Sequence, residues 1–380
     1  MTIKRDLSLL SVLFSVAVFV LACHSQTASS VDTQQHTNTG SLEATRNMTT
    51  ARAAHTATLL NSGKVFITGG FVSNGEGLST TELFDPAVSS FSPGQNMSIG
   101  RNSHTATLLP SGKVLIAGGF NGDYLKSAEV YDPQTNTFTS TQPMTTGRSG
   151  HVAILLNNGK VLIVGGVGSG WTFLSDAEIF DPVTNSFHRT GSMRTAREGH
   201  AVSMLNDGRI LITGGHSGHR RNLVINKDSE VFDPSTDKFT SIGNLTVKRH
   251  KHESISLTDG KVLILGGSDE RDANGAYNNA EIFDPQTNTF HKIANTMQNA
   301  RYKFQGTAVL LQNGTVLIAG GADNAEIFDP KTKSFKAVPG DMGNRKLFAT
   351  ATKLANGQVL LLGGYNRDIA VSNSAWLYRS

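Results

Sequence analysis

The sequence has one cysteine, Cys23, so no disulfide can form within the chain. Charge is sparse: Asp, Glu, Lys and Arg make up 17% of residues, the net charge is +4, and no run of like-signed residues occurs. No cluster of Lys and Arg matches a nucleic-acid footprint, so nucleic acid is not expected as a partner. Long apolar runs are missing except from Leu7 to Ala22, which follows Lys4 and Arg5. That stretch has the build of an export signal rather than a membrane-spanning helix.

Glycine, with 39 residues, is abundant, and its placement is the strongest signal in the chain. Seven times a glycine is followed, after five residues, by a glycine pair, first as Gly63-Lys64-Val65-Phe66-Ile67-Thr68-Gly69-Gly70. The later pairs are Gly118–Gly119, Gly165–Gly166, Gly214–Gly215, Gly266–Gly267, Gly320–Gly321 and Gly363–Gly364. A period of about 50 residues indicates one array of repeated units rather than several unrelated domains.

The second unit is the clearest. His104–Leu109 alternates small, polar and apolar residues (strand a), Pro110–Lys113 turns the chain, and Val114–Ala117 is an apolar strand b ending in the glycine pair. After a polar loop, Ala128–Tyr131 forms strand c, Asp132–Asn136 turns, and Thr137–Thr141 is strand d. Four antiparallel strands per unit make one blade, so the fold class is all-β, a seven-bladed β-propeller. The last unit has strands a to c and no Asp-Pro turn. The stretch Thr39–Met48 carries the missing piece, with Leu42 standing before Met48 as Phe138 stands before Met144. The N-terminal strand is therefore expected to complete the last blade, closing the ring without an open edge. The expected organisation is a signal peptide over 1–22, a flexible tether over 23–38 and the propeller over 39–380.

The units Arg-x-x-His, Gly-Lys-Val-Leu-Ile-x-Gly-Gly and Ala-Glu-x-Phe-Asp-Pro-x-Thr-Asn-x-Phe resemble kelch repeats, in the form of the galactose-oxidase central domain. The resemblance covers about residues 39–378, with phenylalanine in strand d where kelch repeats usually carry tryptophan. A galactose oxidase needs a tyrosine cross-linked to cysteine, and here the only cysteine lies outside the propeller. The copper-radical cofactor is therefore not expected, and no other cofactor is implied. Val20-Leu21-Ala22-Cys23 is similar to the lipobox of bacterial lipoproteins, which implies lipidation of Cys23. It also implies export with a lipid anchor at the outer membrane or cell surface.

Repetition reclassifies the tempting chemical groups. Arg52, Arg101, Arg148, Arg197 and Arg249 each stand three residues before a histidine, namely His55, His104, His151, His200 and His252. Counting back from Gly314 and Gly357 puts Gly306 and Ala349 at the histidine position in the last two units, with Arg301 and Arg345 offset. Glu82, Glu129, Glu178, Glu230, Glu281 and Glu326 each precede an Asp-Pro turn. Six copies of one glutamate around a ring cannot all be catalytic. They are expected to pair with the repeat arginines as scaffold, leaving one unpartnered arginine where Trp376 replaces the glutamate. No catalytic residue and no metal site are assigned. A weak calcium candidate is Glu270, Asp272 and Asn274, which have the spacing of an EF-hand loop but no flanking helices.

The stretch from each glycine pair to strand c varies from 5 to 15 residues, which marks surface loops on one propeller face. Aromatic and charged residues there are the expected ligand contacts, namely Tyr124, Trp171, His216, Arg220, Tyr277, Asp323, Tyr365 and Arg367. The expected function is non-enzymatic binding of a protein or glycan ligand by a monomer. The rival is an enzyme acting on carbohydrate, such as a kelch-type sugar mutarotase or epimerase, or a galactose-oxidase-like protein without the Tyr–Cys copper cofactor. That rival requires titratable groups converging in a pocket on the loop face.

Overall fold

The computed structural model describes residues 39–73, 75–218 and 222–380, and Cys23 with the signal and tether segments lies outside them. Seven four-stranded antiparallel sheets make seven blades. In blade 2 strands a to d are Thr105–Leu108, Val114–Ala117, Ala128–Asp132 and Thr137–Ser140. The closing blade takes Thr350–Lys353, Val359–Leu362 and Ala375–Arg379 from the C-terminus and Ser41–Ala44 from the N-terminus. Leu42 pairs with Tyr378 in that closure, and both side chains are buried.

Strand b is apolar, apart from a final threonine in blades 1 and 4, because each blade is covered on both sides. In the closing blade Val359 and Leu361 pack toward blade 6, against Leu317 and Ile327. Leu360 and Leu362 pack the other way, against Val65, Ile67 and Phe84 of blade 1. Alternate residues of one strand thus serve two cores, and a polar residue at any of the four places would be buried. The glycine pair that ends strand b is required by the crossing there. A Cβ on Gly118, at φ 63°, would stand 2.7 Å from the Arg148 carbonyl oxygen and 2.7 Å from the His151 ring.

The segment entering each blade staples it to the blade before. The carbonyl of Arg101 accepts the N–H of Gly70, the second glycine of the preceding pair, while its guanidinium reaches forward to the Gly118 carbonyl and to Glu129. The same backbone bond recurs at Arg52, Arg148, Arg197, Arg249, Arg301 and Lys346. Six of these residues are arginines paired with Glu82, Glu129, Glu178, Glu230, Glu281 and Glu326 at 2.8–3.1 Å, and all six guanidinium groups are fully buried. The other oxygen of the glutamate accepts a backbone N–H from the same entering segment, as Thr49 gives to Glu82 at 2.7 Å.

This register corrects the frame expected for the last two blades. Arg301 is not offset, since it pairs with Glu326 at 2.8 Å, and Phe304 takes the histidine place against Gly266. Gly306 lies two residues further on, in extra chain before strand a of blade 6 (Ala308–Leu310). In the closing blade Lys346, not Arg345, holds the arginine position. Its ammonium stands 4.8 Å from the centre of the Trp376 ring. The histidines complete the staples. His104 Nε2 lies 3.1 Å from Thr56 Oγ1 and 3.0 Å from Thr68 Oγ1 of the preceding blade, and His252 lies 2.8 Å from Thr213.

Candidate functional site at the axis of the loop face

Two residues past each entering Arg or Lys, the chain turns through left-handed backbone conformation beside the axis. The seven residues are Ala54, Ser103, Gly150, Gly199, Lys251, Lys303 and Phe348, with φ between 51° and 62°. Their peptide groups bond from one blade to the next. Ser103 donates to Ala54, Gly150 to Ser103, Lys251 to Gly199, Lys303 to Lys251, Phe348 to Lys303 and Ala54 to Phe348. A ring of backbone hydrogen bonds thus surrounds the axis, and among the described residues only the step from Gly199 to Gly150 has none.

The side chains on this ring do not repeat. Blades 1 to 4 present Ala, Ser, Gly and Gly, and blades 5 to 7 present Lys251, Lys303 and Phe348. The position just before each is also divided, with Ala53, Asn102 and Ser149 on one side and Glu198, His250, Tyr302 and Leu347 on the other. Following the glycine pairs, Phe71, Phe120 and Val167 give way to His216, Ser268, Ala322 and Tyr365. The repeat leaves these three columns free, and they make one half of the ring more polar and aromatic beside a cavity of about 280 Å³. Glu198, Lys251, Glu253 and Phe348 are among its lining residues.

Lys303 is the centre of one group. Its ammonium donates to the Tyr365 hydroxyl at 3.3 Å and lies 3.4 Å from Asp272. It also stands 5.2, 5.8 and 6.0 Å from the ring centres of Tyr302, Phe348 and Tyr365. The nearby tyrosines and Asp272 raise the affinity of Lys303 for its proton, against the effect of burial. Lys251 donates to the same Asp272 at 3.1 Å, and burial lowers its pKa. The loop suggested for calcium is therefore organised differently. Asp272 serves the two lysines, Glu270 pairs with Lys248 at 3.0 Å, and Glu281 belongs to Arg249.

A second group is formed by acids and imidazoles. His216 Nε2 lies 3.4 Å from Glu198 Oε2, and His216 Nδ1 lies 3.1 Å from His250 Nδ1. The Nε2 of His250 is 3.2 Å from the Asp269 carbonyl and 2.9 Å from the Ser268 hydroxyl. Burial raises the pKa of Glu198 and lowers those of His216, to about 3, and His250, to about 4. Phe173 packs edge-on against His216, with ring centres 5.4 Å apart. Deeper in the wall, Glu253 is buried and accepts N–H bonds from Ser254 and Thr307, and burial pushes its pKa up to about 7.

Of the loop residues singled out in the sequence, His216 and Tyr365 belong to these two groups. Tyr124 is half-buried and close enough to Glu198 for the carboxylate to help raise its pKa. Tyr277 lies beneath the Arg249 guanidinium, 5.7 Å from its ring centre, and so covers a staple. Trp171, Asp323 and Arg367 are exposed at the loop tips, and Arg220 is outside the described residues. Glu198, His250, Lys251, Tyr302, Lys303 and Phe348 escaped sequence reasoning. Aligning the units on the arginine would have exposed them as the two variable columns between Arg and His.

A larger groove of about 600 Å³ lies on the opposite face between blades 2 and 3. It is bordered by the ion pairs Lys113–Asp132 and Lys160–Asp181, which recur as Lys64–Asp85 and Lys261–Asp284 in other blades. It is therefore a product of the repeat, whereas the axial cavity departs from it.

Comparison with known proteins agrees with this architecture. The family model described as the KLHDC2/KLHL20/DRC7 Kelch-repeats domain matches residues 88–253, and the Kelch motif matches residues 254–297. The chain is a kelch-repeat β-propeller. No curated protein matches it in sequence. A galactose-oxidase-like solved structure, described as a novel fungal alcohol oxidase with catalytic diversity among the AA5 family in complex with copper, superposes with a TM-score of 0.71. The two are 17% identical over 89% of this chain and 76% of that chain, a likeness of fold. Copper belongs to that protein. Here, no group of three His, Cys, Asp or Glu side chains able to hold a metal occurs among the described residues. The ring histidines with partners bond to hydroxyls between blades, and His250 already holds a hydroxyl and a carbonyl. The donor set does not fit the group.

Proposed function

We propose that this kelch propeller is an exported binding protein that takes its ligand into the axial cavity of the loop face. The observation that carries this reading is the broken symmetry of the ring. Small residues stand in one half, and Glu198, Lys251 and Phe348 line the cavity from the other, with the Lys303 ammonium and its tyrosines packed beside Phe348. Cations backed by aromatic rings, on a rigid frame, make a concave polar site with apolar faces. A cavity of about 280 Å³ suits a terminal sugar or a similarly small group better than a broad protein surface. A glycan end is therefore the favoured ligand. A protein presenting a single side chain or terminus is the other form of the binding reading.

The test is a glycan array with the full chain, paired with capture from envelope extracts, for the natural protein and for Lys251→Ala, which alters the lysine that lines the cavity. Glycan binding that is lost in Lys251→Ala while thermal unfolding is unchanged supports the reading. Binding that survives the substitution, or none in either assay, overturns it. The rival reading of an enzyme acting on carbohydrate draws on one observation, the titratable pair Glu198 and His216 beside the same cavity. Turnover of a glycan that the array identifies would favour it.

A further inference from the structure

The hydrogen-bond chain behind Glu198 has a direction, and that direction isolates one proton. The Asp269 carbonyl can only accept, so His250 Nε2, 3.2 Å away, carries a hydrogen and donates it. The Ser268 hydroxyl at 2.9 Å is then a second acceptor. A neutral His250 consequently has a bare Nδ1. Opposite it, at 3.1 Å, is His216 Nδ1, which must be the donor of that contact. A neutral His216 is left with a bare Nε2 that faces Glu198 Oε2 at 3.4 Å. Two bare acceptors facing each other repel, so a single proton belongs between the Glu198 carboxyl and His216 Nε2.

We propose that Glu198, positioned by His216 and His250, is an acid–base group of the axial cavity that exchanges one proton with a hydroxyl-bearing ligand. The site goes beyond ligand capture, although it opens on the same cavity. In the ionised state the carboxylate accepts from a ligand hydroxyl. In full transfer the ligand O–H bond breaks, its electron pair stays on oxygen, and the proton passes to Glu198. The negative oxygen then lies in a cavity that Lys251 also lines. In the protonated state Glu198 is a donor, and the ligand group it suits is a carbonyl or ether oxygen. No metal, oxidant or leaving group is required for the exchange.

The surroundings of Glu198 keep this proton labile. From the neighbouring elements it is faced by His216, by Lys251 and Lys303, which favour its ionised form, and by the Tyr124 hydroxyl. Asp272 acts on the two histidines from the other side. Gly150 supplies the space, since a Cβ there would fall against the Glu198 carboxylate. About a quarter of the Glu198 side chain remains open to solvent, so a ligand can reach it.

The test needs no ligand, so its failure is separate from failure of the binding reading. The full chain is labelled with ¹⁵N-histidine and ¹³C-carboxyl glutamate, and resonances are assigned with His216→Gln, His250→Gln, Glu198→Gln and Glu253→Gln. Between pH 5 and 8, His216 is expected as the Nδ1–H form and His250 as the Nε2–H form, neither becoming charged. The carboxyl signal lost in Glu198→Gln should titrate above an ordinary glutamate. An Nε2–H tautomer or an imidazolium at His216, or an ordinary titration of Glu198, would overturn the proposal. Should His216→Gln fail to fold, His250→Gln supplies the assignment by difference.

Discussion

The Lys346 ammonium sits over the Trp376 indole, 4.8 Å from the ring centre, where each of the other six blades holds an arginine against a glutamate. A fully buried ion pair has been exchanged for a cation–π contact in the blade that closes the ring. The two kinds of staple differ in what removal leaves behind. Truncating Trp376 leaves a lysine that can extend to water and loses a contact worth about 0.5–2 kcal/mol, beyond the packing of the ring itself. Truncating Glu326 strands Arg301 in the interior. Lys346→Met is therefore expected to cost less unfolding free energy in urea than Arg301→Met, and the reverse order would show that the closing staple is the stronger.

Glu129 illustrates the scaffold role of the repeat carboxylates. It accepts from Arg101 at 3.0 Å and from the Ser98 N–H at 3.1 Å, with both charged side chains buried. Breaking such a pair by removing one partner costs about 3–5 kcal/mol, because the remaining charge keeps its desolvation penalty. Glu129→Ala should lose that much in equilibrium unfolding. The double variant Arg101→Met with Glu129→Leu should recover a large part. A double variant as unstable as the single one would refute the argument.

Neither ring nitrogen of His200 makes a hydrogen bond to a side chain among the described residues. The places that offer Thr56 and Thr68 to His104 are Val152 and Val164 in the blade facing His200. Blade 6 already fills the equivalent place with Phe304. His200→Phe should thus leave the melting temperature unchanged or raise it, whereas His104→Phe should lower it by removing the partner that the Thr56 and Thr68 hydroxyls, 2.6 Å apart, share. Equal losses at the two sites would contradict this account.

Stability should fall on both sides of neutrality for opposite reasons. Burial, and after it the charge of nearby arginines, depresses His55 and His151 to about 3. Burial depresses His200 to about 3, with the Arg197 charge again second. The unfolded chain takes up these protons near pH 6.5 while the folded one does not, so this contribution is complete above 6.5 and is lost as pH falls. Glu253 behaves inversely. Burial raises it to about 7, so its contribution is complete below an ordinary glutamate's pKa near 4.5 and is lost as pH rises to about 7. Relative to the natural protein, Glu253→Gln should gain on the order of 2–3 kcal/mol between pH 5 and pH 8. Unfolding curves at the two pH values that differ by the same amount in both proteins would dismiss Glu253 as the cause.

Much of the scaffold was legible in the chain because it is written at constant intervals. The spacing from Arg101 to His104 recurs in five blades and that from the Glu to the Asp-Pro turn in six, and local hairpins hold the latter interval. Leu42, placed before Met48 as Phe138 is before Met144, revealed the ring closure in the same way. The frame failed at Gly306, where a two-residue addition sits between Phe304 and strand a, and at Lys346, where a different cation had replaced arginine. Counting from one glycine cannot tell such changes apart. The backbone bond from Gly321 to Lys346 can.

The site was less legible because its members are not neighbours in the chain. Lys251, Lys303 and Phe348 are separated by about a blade each, and only the axis brings them together. The sequence alone determined the number of blades, the closure and the staples of the first five blades, since these follow from short-range spacing and the need to bury both faces of strand b. The tertiary structure decided which non-repeating side chains meet. Ring closure forces seven separate turns to converge at the axis, where three of them build one polar half.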